Sequence, residues 1–73
     1  MSIATIETFR LYVSHRVSER LIEEISFLAD GSAQFSVTPP VSDYFWILDL
    51  AGRMHLKAET DKGNNSIKIV QEK

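Results

Sequence analysis

The 73-residue chain has no cysteine, so neither a disulfide framework nor a thiolate metal site can supplement its small core. Its two histidines, His15 and His55, lie far apart in sequence without a ligand cluster around either. That argues against a structural zinc, and neither a metal nor a cofactor is expected. Glycine is scarce: Gly31, Gly52 and Gly63 each stand alone, so no glycine-rich loop that cradles a phosphate is present. An excess of positive charge is missing too. Eight Lys and Arg against ten Asp and Glu give a formal charge of −2 and a pI near 5.5, which offers no overall attraction to nucleic acid or anionic membranes. The longest apolar run, Tyr44 to Leu48, is too short to span a bilayer. Met1-Ser2-Ile3-Ala4-Thr5 lacks the basic start and apolar stretch of a secretory signal. A cytoplasmic protein without a membrane partner is expected.

Catalysis has little to build on. Ser14 and His15 are adjacent, and adjacent helical residues do not face one another. Ser14 and Ser18 suit helix caps, accepting from orphan backbone N–H groups. Glu23-Glu24 reads as a solvated face rather than an acid/base pair. The chain therefore reads as a non-enzyme.

What the sequence does contain is one dense apolar stretch, residues 44–59. Asp49-Leu50-Ala51-Gly52-Arg53 fits a three-residue hairpin loop with Gly52 at a position of positive φ. The register this sets, Leu48 opposite Met54 and Trp46 opposite Leu56, sorts the side chains onto two faces. Tyr44, Trp46, Leu48, Met54, Leu56 and Ala58 make a core face. Phe45, Ile47 and Asp49 with Arg53, His55 and Lys57 make an outer one. Phe45 and Ile47 ringed by Arg53, His55 and Lys57 resemble a protein contact, apolar anchors within a polar rim. The alternative is a nucleic-acid surface, with a base stacked on Phe45 and phosphates on the basic side chains, Lys68 among them.

Elsewhere the periodicities divide. Phe9, Leu11 and Val13 alternate with polar residues as a strand would, whereas Ile6, Phe9, Val13 and Val17 recur at helical spacing; the alternation favours a strand at about Thr8–Val13. Val17, Leu21, Ile25 and Leu28 form a helical stripe that Gly31 ends as its C′ residue. Ala33 to Thr38 and Ser66 to Gln71 alternate as strands, with Phe35 and Val37, then Ile67 and Ile69, inward. Pro39-Pro40 stops the first of these.

The expected architecture is a single α+β domain over residues 1–73: one principal helix packed on a four- to five-stranded antiparallel sheet, with a meander in the C-terminal half. The expected function is a non-catalytic protein-binding module, a small regulator, adaptor or inhibitor, working as a homodimer through Phe45, Ile47, Arg53, His55 and Lys57. Two-fold dimers are the commonest oligomers. A small, acidic, cysteine-free chain of this kind is compatible with a phage or mobile-element product.

Overall fold

The computed structural model describes residues 4–73. It is an α+β fold with two helices on one face of a four-stranded antiparallel sheet. The helices are α1 (Ala4–Ser14) and α2 (Tyr44–Arg53), and the strands are β1 (Ser26–Phe27), β2 (Ala33–Val37), β3 (Lys57–Asp61) and β4 (Ser66–Gln71). The sheet order is β1-β2-β4-β3. β4 thus enters between β2 and β3, and the C-terminal half is not a meander. Because β4 runs antiparallel to both neighbours, β2 and β3 point the same way. Strands with a common direction need a crossover rather than a hairpin, and residues 38–56 supply it, with α2 as its helical part.

The two strands read from alternation hold. Ala33, Phe35 and Val37 on β2 and Ile67, Ile69 and Gln71 on β4 are buried, and they meet in register as Ala33–Gln71, Phe35–Ile69 and Val37–Ile67. Gln34, Ser36, Lys68 and Val70 point to the other face, which no helix covers among the described residues.

Thr8–Val13 is not a strand. It lies within α1, and the helical stripe Ile6, Phe9, Val13 is fully buried while Leu11, opposite it, is exposed. Phe9 stacks toward Phe35 with ring centroids 6.0 Å apart. The Ile6 N–H, one of the donors that a helix start leaves unpaired, donates to Gln71 Oε1 at 2.9 Å, so the last residue of β4 caps α1.

The helix expected after Ser14 does not form. A 3₁₀ turn at Glu19–Leu21 leads into a bulged edge strand. Ile22 bridges Val37, and Ser26 pairs with Gln34. Four residue steps on one side therefore span three on the other, which is a β-bulge. Of the stripe Val17, Leu21, Ile25 and Leu28, only Val17 is buried. Gly31 does carry a positive φ, 91°, but it turns the chain from β1 into β2 rather than ending a helix. Asp30 braces that turn by accepting from the Ser32 N–H and hydroxyl at 2.9 and 2.6 Å. The same hydrogen bonds hold the Asp30 carboxyl below its ordinary value of 3.8.

The hairpin expected over residues 44–59 is likewise replaced. Tyr44 to Arg53 is α2, and Ile47 and Ala51 form its buried line, flanked by half-buried Tyr44, Trp46, Leu48, Leu50 and Met54. The helix closes in a Schellman arrangement: the Leu56 N–H donates to Ala51 O at 2.9 Å and the His55 N–H to Gly52 O at 3.2 Å. The residue that takes the left-handed conformation there is His55, φ 59°, and not Gly52.

Candidate functional site

The five residues expected to share an outer face are dispersed by the switch from hairpin to helix. Ile47 is fully buried beneath α2 and cannot touch a partner. Its assignment as a surface anchor is corrected by the helical period, which turns position 47 toward the sheet. Phe45 stays outward, 81 % exposed. Arg53 lies two helical turns beyond it and pairs with Asp49 at 3.0 Å. His55 and Lys57 sit past the helix end. With Leu56, Val70, Glu72 and Lys73 they line an open depression of about 500 Å³. Lys57 there reaches Glu59 at 3.5 Å. The basic row of the expected hairpin therefore does not exist, and each of its members except His55 faces a carboxylate within its own element.

A second exposed apolar residue precedes Phe45 in the chain. Val41, in the short 3₁₀ turn Val41–Asp43 that precedes α2, is 84 % exposed. Pro39-Pro40 directs the chain into that turn, and Asp43 at the helix N-cap is held by Arg16 at 2.8 Å. The Arg16 guanidinium also lies 4.6 Å over the Trp46 ring, a cation–π contact that ties the segment after α1 to α2. Tyr44 meets Phe45 edge-on with centroids 6.3 Å apart. Arg16 thus fastens the first turn of α2 through Asp43 and Trp46, while Val41 and Phe45, four residues apart in the chain, are both left exposed. The spacing of Val41 and Phe45 was legible in the sequence. The β-prone side chains around Phe45 favour an alternating period and mask that spacing.

A second concavity, about 320 Å³, lies between α1 and the bulged edge strand, with Arg10, Leu11, Glu19, Glu24 and Ile25 among its walls. Arg10 fills it from α1, donating to Glu19, Glu24 and the Glu23 carbonyl at 3.1, 3.3 and 3.0 Å. These contacts fasten the bulge to the helix. Among the described residues no group of His, Asp and Glu is arranged to hold a metal ion, no buried side-chain polar atom lacks a partner, and no helix is long and apolar enough to cross a membrane. Comparison of the chain with protein-family models, with curated proteins and with solved structures finds no match.

Proposed function

We propose that this chain is a non-catalytic protein-binding module, a small cytoplasmic regulator, adaptor or inhibitor that works as a homodimer, with Val41 and Phe45 as its contact. The observation that carries this reading is the exposure of these two side chains, 84 % and 81 %, on a helix start that is otherwise fastened down. Single exposed apolar residues are ordinary. Two of them four residues apart, at a helix start held by Arg16, offer anchors that enter a partner with little ordering cost. The nucleic-acid alternative loses the feature that suggested it, since Phe45 has no basic row beside it.

The test is light scattering on the full chain with absorbance read at 260 and 280 nm. The expected result is a particle larger than one chain and free of nucleic acid. Phe45→Ser should leave the thermal transition within about 3 °C of wild type, as for a surface change of about 0.5 kcal/mol, and shift the particle toward one chain. A monomer that carries 260-nm-absorbing material, or association unchanged in Phe45→Ser, would overturn the reading.

A further inference from the structure

Gly52 has no role that the chain's own fold explains. It lies in the last turn of α2, where glycine is the least favourable residue after proline. Its φ is not positive, and the left-handed position that closes the helix is three residues on, at His55. No close approach requires it either: a Cβ at Gly52 would meet nothing of the described residues within 4 Å outside its own helix. A bare backbone on an exposed helix face is of use to something that packs on it from outside.

We propose that a second copy of this chain does so, with two α2 helices pairing antiparallel across a two-fold axis and Phe45 of each copy lying on Gly52 of the other. This rests on the homodimer reading above and names its surface. In a two-fold contact residue i meets j and j meets i, so one knob and one bare site per copy suffice for both halves. Phe45 and Gly52 are seven residues apart, which is about 10 Å along the helix axis and only about 20° around it. Bulk and hollow therefore lie on one line, and pairing about the midpoint of Leu48 and Asp49 brings each ring over the other copy's glycine.

Charge and area both fit a copy as the occupant. Asp49 and Arg53, the two charged side chains on this face, neutralise each other at 3.0 Å, so two such faces meet without net repulsion. A phenylalanine buries roughly 200 Å² and a valine side chain roughly 100 Å². At their observed exposures, two copies of Phe45 and Val41 would remove roughly 500 Å² of apolar surface from water. That is close to the apolar share of an interface of about 1,000 Å², the lower bound for a specific contact. The dimer is accordingly weak and concentration-dependent.

The experiment is sedimentation equilibrium on the full chain from about 10 μM to about 1 mM, beside thermal melts of dilute protein. Wild type should pass from monomer to dimer in this range. Gly52→Ala should raise the dilute melting temperature by about 3–6 °C, as a better helix former, yet weaken dimerisation at least tenfold. Phe45→Ser should weaken it similarly with little change in melting. Opposite signs for stability and association in one variant are what a purely internal role for Gly52 does not produce. Dimerisation unaffected by both substitutions would overturn this geometry while leaving a homodimer through another face. A wild type that stays monomeric at about 1 mM would overturn the homodimer as well.

Discussion

The two helices cover the same face of the sheet, and they differ in what their outer sides do. α1 uses its flank within the chain: Arg10 ties it to Glu19, Glu24 and the Glu23 carbonyl, and Gln71 caps its first turn. α2 buries Ile47 and Ala51 below, and on its outer side Phe45 is 81 % exposed, Asp49 pairs with Arg53 of the same helix, and a Cβ at Gly52 would meet none of the described residues. α1 is tied to the bulged edge strand along one flank and leaves Leu11 and Tyr12 exposed, whereas α2 leaves the more exposed Phe45. A phenylalanine on each helix makes the difference measurable.

The largest expected effect separates those two phenylalanines. Phe9 is fully buried against Phe35, so Phe9→Ala removes core volume and should cost about 3–5 kcal/mol. That is a large part of the stability of a domain this size, and the far-ultraviolet signal should be lost near room temperature or soon above it. Phe45→Ala should change stability by no more than about 0.5 kcal/mol. Similar losses from the two substitutions, measured by urea titration, would erase the distinction between the helices.

The next effect tests the cap on α1. Gln71 is buried and accepts the Ile6 N–H. Gln71→Leu keeps the approximate volume but leaves that donor without its acceptor, at a cost of about 1–3 kcal/mol. Amide exchange at Ile6 should accelerate while the β2–β4 amides keep their protection until global unfolding. Uniform loss of protection would mean that Gln71 acts on the whole sheet rather than on the start of α1.

The helix–sheet contrast also explains what could be read from the sequence. β2 and β4 were legible because each alternates strictly and each is central, with one face buried and one bare. α+β class followed from them. α2 was not legible, since Tyr44-Phe45-Trp46-Ile47-Leu48 is rich in β-prone side chains and Asp49 to Arg53 matches a hairpin loop. The buried pair Ile47 and Ala51, four residues apart, carried the helical signal. What decided the matter is long-range: β4 pairs with both β2 and β3, so residues 38–56 must cross over, and no local window contains that constraint. α1 was balanced between two periods, and the exposure of Leu11 opposite Ile6, Phe9 and Val13 shows which one folding selects. Within the expected contact surface, Phe45 was placed outward under either period, whereas Ile47 depended wholly on the hairpin and fell with it.

The smallest effect concerns where α2 keeps its glycine. The helix needs a left-handed residue at position 55 and has histidine there, φ 59°, whereas glycine stands at 52 where no backbone angle asks for it. His55→Gly should relieve the steric cost of that conformation, partly offset by the greater freedom of glycine in the unfolded chain. The net gain is under about 1 kcal/mol, or a melting temperature raised by up to about 5 °C. Combining it with Gly52→Ala puts each residue where the helix alone would want it. If the outer side of α2 serves a second copy, that double variant should be the most stable monomer and among the weakest dimers. A double variant that melts no higher than wild type would show instead that His55 holds the turn into β3 by a contact of its own, and that the end of α2 is as much a part of the scaffold as α1.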